Sequence, residues 1–329
     1  MAGQPPSEET LEYRAEVPGA LSGKRLDQAL ATLFPDFSRS RLKAWILAGR
    51  VTVDGLERRP RDPVIGGEQV LLRAEPETRT EAAPEPIPLN VLFEDDTLLV
   101  IDKPAGLVVH PGAGNPNGTM QNALLHHRPE LRNVPRAGIV HRLDKDTTGV
   151  MVVAGTETAH AALVKAIEAR EVRREYEAVC LGVLTAGGTV DASMGRHPVD
   201  RLRMAVRDTG KPARTHYRVM DRYRGHTRVL CRLDTGRTHQ IRVHMAHIRH
   251  PLVGDPLYGG RLAIPRGATP ELGESLRRFR RQALHARRLA LIHPGSGEET
   301  SWESPLAADL AGLIRVMEAD RAAAEADRD

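Results

Sequence analysis

Cysteine is nearly absent: Cys180 and Cys231 are the only two in the chain. Two thiols cannot build a disulfide framework or a cysteine-rich zinc cluster. Both fall in alternating apolar segments, where a cysteine is expected as a small buried hydrophobe. Aromatic residues reach only 3%, which disfavours modules that stack successive bases on rows of rings. No apolar run approaches the roughly 20 residues that span a bilayer. The opening Met1–Glu9 has no basic segment followed by an apolar one, so it does not read as a secretory signal. The expectation is a cytoplasmic protein that stays off the membrane. The glycine-rich Pro111–Gly118 lacks the Lys-Ser/Thr ending of a phosphate-binding loop, and its two prolines remove amide donors. It reads as a shaped loop, and no nucleotide or flavin fingerprint appears elsewhere.

What is present is enough apolar residue, 40%, for a packed core. Lysine and arginine number 47 against 43 aspartate and glutamate, a net charge of +4. The basic residues cluster in Arg39–Lys43, Arg58–Arg61, Arg170–Arg174 and Arg277–Arg288. A nucleic-acid footprint and plain solvated faces account equally for such clusters.

Residues 1–17 are polar and expected as a disordered tail, and 18–75 as a compact unit. In that unit Leu26, Leu30, Leu33 and Phe34 share a helical face. Ser38 can cap a second helix that turns Leu42, Trp45 and Ile46 inward, and Gly49 stops it. Val51 and Val53 alternate into an Asp54-Gly55 turn, a hairpin signal, and Val64, Val70 and Leu72 supply further strand positions. Four prolines and several acids make 76–88 a semi-rigid linker. A larger domain follows over 89–318, with strands expected at 91–93, 98–102, 149–154, 175–183, 213–221 and 226–234. A helix fits Thr158–Arg170 and another Pro305–Met317, before a charged tail over 319–329. Strands outnumber helices and are not regularly separated by them, which points to an α+β chain with a mixed sheet and excludes a doubly wound one.

Three segments carry candidate chemistry. Gly138–Val153 wedges His141, Arg142 and Asp144 between two apolar β-branched runs. It reads either as a turn shaped by Asp146 and the threonines or as a reactive loop held by a scaffold. Arg232–His247 holds His239, His244 and His247 at spacings of five and three, unlike the i, i+4 pair of a helical zinc site. Metal binding is therefore disfavoured, but so many cations in a strand-like context call for an anionic ligand or a buried carboxylate. In Arg173–Val179, Tyr176 shares a strand face with Ala178 and Cys180, facing either core or cleft.

Together these segments resemble the RluA family of pseudouridine synthases. Its members carry a His-Arg-Leu-Asp loop, a tyrosine strand and a Gly-Arg-Thr/Ser-His-Gln-Ile/Leu-Arg-Val-His segment in this order. The front unit, with Gly23–Leu30 and Ser38–Arg41, looks like an S4 RNA-binding domain, and the likeness runs from about residue 12 to about 318. The resemblance implies an S4 domain followed by a catalytic domain whose mixed, mainly antiparallel sheet is flanked by helices around a central cleft. It implies Asp144 as catalytic carboxylate, Arg242 as its ion-pair partner, and Tyr176 beside the uracil. It also implies Arg142, with His141 next to it, at the place of the flipped base. In the S4-like unit Lys24, Arg25, Arg39, Arg41 and Lys43 are expected against RNA phosphates.

The implied reaction is isomerisation of uridine to pseudouridine, which involves no redox change and no net group transfer, so neither cofactor nor metal is expected. The implied substrate is a stem-loop of large-subunit rRNA, free or within a pre-50S particle, bound by a monomer. The same chemistry on tRNA or another rRNA site is the alternative. A non-catalytic RNA chaperone stands further off, and a metal-dependent nuclease or glycosidase lacks its ligand sets.

Overall fold

In the computed structural model, residues 11–326 are described apart from Asp36, Ser38, 75–81, Ala113 and Arg201. The chain divides into two compact units, Met1–Arg79 and Thr80–Asp329. In the first, β1 (Leu11–Glu16) leads to α1 (Leu26–Leu33), α2 (Arg39–Leu47), β2 (Val51–Val53), β3 (Leu56–Glu57) and β4 (Gln69–Ala74). The strands form one antiparallel sheet in the order β1-β4-β2-β3. Leu26 and Leu30 are fully buried with Leu42, Val51, Val53, Val64 and Leu72 in a core of their own. The helical and strand periods read from the sequence thus converge on one interior. Asp54 and Gly55 both take positive φ, 50° and 78°, as a two-residue hairpin turn demands. The proposed Ser38 cap lies outside the described residues.

One boundary needs correction. Leu11–Glu16 fall within the expected disordered tail, yet they form β1, paired along β4. The alternation of Leu11, Tyr13 and Ala15 with charged residues is a strand pattern, and β4 supplies the partner that satisfies its backbone.

The second unit contains β5 (Val91–Glu94), β6 (Leu98–Lys103), α3 (Met120–His127), β7 (Thr148–Ala154), α4 (Glu157–Glu168), β8 (Arg173–Leu181) and β9 (Gly188–Asp191). It continues through β10 (Met194–Arg196), β11 (Met204–Val206), β12 (Arg214–Arg222), β13 (His226–Leu233), α5 (Gln240–His247) and α6 (Pro270–Arg278). It ends with β14 (Leu284–Ile292), β15 (Glu299–Glu303) and α7 (Ala308–Ala326). The main sheet runs β5-β6-β7-β14-β8-β13-β12-β9, with β15 on the far half of β14. Only β7–β14 is parallel among these pairs, so the sheet is mixed and mainly antiparallel. All of β7 is buried, which is why it reads as an unbroken apolar run. β8 feeds two cores, Tyr176, Ala178 and Cys180 on one side and Val179 with the α6–α7 pair on the other. Residues 82–88 form no helix or strand, in keeping with their three prolines, and Ala82 and Ile87 pack on the main core.

Two further readings are corrected. The cation-rich Gln240–His247 is a helix, not a strand, with buried residues at six consecutive positions; a helix buried nearly all round carries no amphipathic period to read. The expected charged tail is largely helical, because α7 continues to Ala326. Alanine-rich sequence favours that extension, and buried Asp320 anchors it by accepting from Arg224 Nε and Thr269 N.

Candidate active site

A cavity of about 600 Å³ opens where the loop before β7, the start of β8, and the β13–α5 junction meet. His141, Arg142, Asp144, Tyr176, His239 and Arg242 all line it. The structure therefore brings together the five catalytic-domain residues that the resemblance implied, with His239 beside them, whereas His244 and His247 lie outside the cavity lining.

The loop that carries Asp144 is fixed from several sides. The His141 ring accepts the Val152 N–H at Nε2, 3.0 Å, and the Thr147 N–H donates to the Asp144 carbonyl. Fully buried Lys103 donates from Nζ to the carbonyls of Pro104, Leu107 and Lys145; burial pushes its ammonium down to about 8. Arg281 donates to the Asp146 carbonyl and Gln282 to Thr147 Oγ1. Backbone so fully hydrogen-bonded holds a side chain in place without a contribution from substrate.

Arg242 reaches this loop from 98 positions away. His239 takes the left-handed conformation, φ 58°, immediately before α5, and Gln240 ties the junction by accepting from Thr235 Oγ1 and Arg237 N. Helix α5 then presents the Arg242 guanidinium to two carboxylates. Nε and Nη2 donate to Asp255 at 2.7 and 2.9 Å, and Nη1 donates to Asp144 Oδ2 at 2.9 Å. Burial opposes the charge on Arg242, but the hydrogen bonds and charge of Asp255 and then Asp144 outweigh it, so its pKa is raised. Asp255 is fully buried and also accepts from the Leu257 and Tyr258 amides. The Tyr258 ring lies 5.1 Å from the guanidinium carbon, and its hydroxyl bonds His239 Nδ1 at 2.8 Å. His239 Nε2 stands 3.8 Å from Asp144 Oδ1; burial lowers the pKa of this imidazole.

Tyr176 is a buried member of the cavity lining, and burial raises its phenol pKa, so it is protonated at neutral pH. His141 is pushed down to about 3 by burial and the nearby Arg174 charge; its ring is a neutral anchor for the loop. Arg142 is exposed on the lining. Asp255, Tyr258, Lys103 and Arg174 escaped the sequence reading. Asp255 sits in a plain Gly-Asp-Pro stretch, and only the fold shows what it touches.

Elsewhere the cations are partly committed. Arg25 and Arg39 both bind the buried Asp27 carboxylate. Burial alone would raise that carboxyl, but these hydrogen bonds hold it low. Lys24 and Lys43 are exposed, and the Arg41 side chain lies outside the described residues. Cys180 and Cys231 are buried and free. Among the described residues no group of three histidine, cysteine or acidic side chains could hold a metal ion. Nor, among the described residues, is any helix long and apolar enough to cross a membrane.

Comparison with known proteins gives the arrangement its context. The RNA pseudouridylate synthase family model matches residues 97–247, and the S4 domain model matches residues 24–70. Ribosomal large subunit pseudouridine synthase D of Xanthomonas campestris is 59% identical over 311 residues, spanning 94% of both chains. The enzymes of that name from Pseudomonas aeruginosa and Escherichia coli K12 are each 58% identical. They cover 95% and 91% of this chain and 98% and 92% of their own lengths. Among solved structures, human RNA pseudouridylate synthase domain containing 4 matches with a TM-score of 0.55 at 26% identity. It covers 70% of this chain and 93% of its own. Human RNA pseudouridylate synthase domain containing 1 gives 0.52 at 25%, over 71% and 95%. Identity of this extent runs through both units and is not confined to the motif segments, and so the chain belongs to the RNA pseudouridylate synthase family, with an S4 domain ahead of its synthase domain.

Proposed function

We propose that this isomerase acts on uridines in a stem-loop of large-subunit rRNA, as a cytoplasmic monomer that meets its substrate free or within a pre-50S particle. The names of its full-length relatives support the rRNA assignment. In the reaction the C1′–N1 bond of uridine breaks, the base turns, and C1′ bonds C5; C5 loses its proton and N1 gains one.

The observation that carries the reading is the fork of Arg242. With two donors committed to Asp255, its remaining Nη1 fixes the Asp144 carboxylate in the cavity. A charge-assisted hydrogen bond from a guanidinium orients the carboxylate that accepts it. Asp144 then acts on the sugar, as nucleophile at C1′ or as base. Tyr176, on the same lining and protonated, stacks against the uracil and serves proton movement at the base. Arg142, exposed on the lining, fills the gap the flipped base leaves, which offsets part of an unstacking cost of a few kcal/mol. Lys24 and Lys43, with Arg25, Arg39 and Arg41, position the RNA through phosphates and add little sequence selectivity.

The test is incubation of purified protein with unmodified large-subunit rRNA in EDTA, followed by mapping of pseudouridine. Product with wild type and none with Asp144→Asn is expected. RNA binding without product from wild type would sink the catalytic reading.

A further inference from the structure

One arginine of the cavity differs from its neighbours. Arg136, Arg142, Arg170 and Arg237 line the cavity from exposed positions, where water solvates them. Arg174 is only 6% exposed, and its Nε is buried with no acceptor. Strand β8 alternates, so Arg174 shares the face of Tyr176 and lines the same cavity. Three carboxylates line that cavity, and none pairs with Arg174 among the described residues. Asp144 is held by Arg242, Asp234 by His216 and Arg214, and Glu168 is exposed.

A buried guanidinium without a counter-charge is a costly feature for a fold to keep. The surroundings accommodate it closely. Position 236 is glycine, where a Cβ would stand 2.7 Å from Arg174 Nη1. A second donor nearby also lacks an acceptor. Because His141 Nε2 accepts the Val152 N–H, its proton resides on Nδ1, and that atom is buried without a partner. Two buried donors without acceptors line one cavity, and each can donate to a group from outside the chain. A uridine nucleotide brings one charged group, its phosphodiester, whereas the uracil and ribose are neutral. The planar, always-charged fork of arginine matches phosphate oxygens.

We propose that Arg174 is the buried phosphate-binding residue of the cavity, taking a non-bridging oxygen of a phosphodiester beside the target uridine, with His141 Nδ1–H as an auxiliary donor. This rests on the reading of the cavity as the uridine site. The Arg174 charge would thereby set how far the nucleotide enters toward Asp144, which makes it a positioning residue.

The experiment compares equilibrium binding of the full-length Asp144→Asn protein with and without Arg174→Met. The probe is a large-subunit rRNA stem-loop with a single loop uridine. A neutral methylphosphonate replaces the linkage on its 5′ or its 3′ side, with 2′-O-methyl groups protecting that linkage in both probe and control. For the protein that keeps Arg174, one of the two neutral linkages should weaken binding roughly 10-fold. For Arg174→Met the same linkage should change binding less than about 2-fold, and the slope of log affinity against log salt should fall by about 1. Arg174→Lys should restore part of the charge-dependent binding. Without RNA, Arg174→Met should melt roughly 2–4 °C higher, because an unpaired buried charge is gone. Equal penalties in both proteins at both linkages would overturn the assignment, and so would no penalty for the protein that keeps Arg174, a measurement that requires no variant at position 174 to fold. A lower melting point with unchanged RNA affinity would make Arg174 a structural residue instead. Binding without any pseudouridine from wild type would count against the reaction and leave this comparison standing.

Discussion

Arg242 serves two carboxylates of different kinds. Asp255 is fully buried and takes two of its donors, whereas Asp144 takes one and remains partly open to the cavity. The two should therefore respond differently to the same amide substitution. Asp255→Asn removes the buried counter-charge and turns an amide donor toward the guanidinium. We expect it to lower unfolding free energy by about 3 kcal/mol and product formation by on the order of 100-fold, because Arg242 loses its register. Asp144→Asn should abolish product yet shift stability by no more than about 1 kcal/mol, since the Arg242–Asp255 fork survives. Urea titration and single-turnover product assays on the two variants check this contrast. Equal destabilisation by both would remove the distinction between the anchoring and the reacting carboxylate.

At the scale of elements, the site depends on where β7 begins. Thr148 and Gly149 pair in parallel with His285 and Ala286 of β14, directly after the Asp144 loop. Gly149 has φ 112°, and a Cβ there would come within 2.1 Å of the Ala286 carbonyl oxygen. Gly149→Ala must push the two strands apart, and the loop moves with them. The expected cost is at least about 3 kcal/mol, with a fall in turnover larger than the fall in RNA affinity. Thermal melting and separate measurement of binding and turnover test it; a variant with wild-type melting would show that the strands tolerate the displacement. The strand pattern around Gly149 was legible from its β-branched run, but not its partner, because β14 follows 135 residues later and carries no signal that names β7. Helix α5 was misread for a related reason: a segment buried on most sides shows neither period.

At the scale of the whole molecule, each unit has its own core, and the larger one buries several histidines. Burial pushes His226 down to about 4, and burial with Arg174 pushes His141 down to about 3, from 6.5. For both, the folded pKa lies below the unfolded one. Their neutral burial is therefore tolerated without penalty above pH 6.5, and stability is lost as pH falls from there toward the folded values. Each should lower unfolding free energy by about 1.4 kcal/mol per pH unit in that window. Urea unfolding should be nearly flat from pH 7 to 8 and fall steeply from 6.5 to 5. His226→Phe should reduce that slope by one proton's worth; an unchanged slope would assign the acid sensitivity to other groups.

The sequence by itself determined the family, the α+β class and the positions of six strands of the main sheet, though not of the central β14. Periodic patterns and short motifs are local, and local order survives in a linear string. Its motifs also singled out Asp144, Tyr176 and Arg242 as candidates, and the fold gathers all three in one cavity. Tertiary structure alone decided which groups hold them. Asp255 gained meaning by taking two donors of Arg242, Lys103 by joining the turn that follows it to the distant Lys145 carbonyl, and Arg174 by being enclosed without a partner among the described residues. Contacts between residues a hundred positions apart leave no periodicity behind. The charge balance of a cavity exists only once the chain has closed around it.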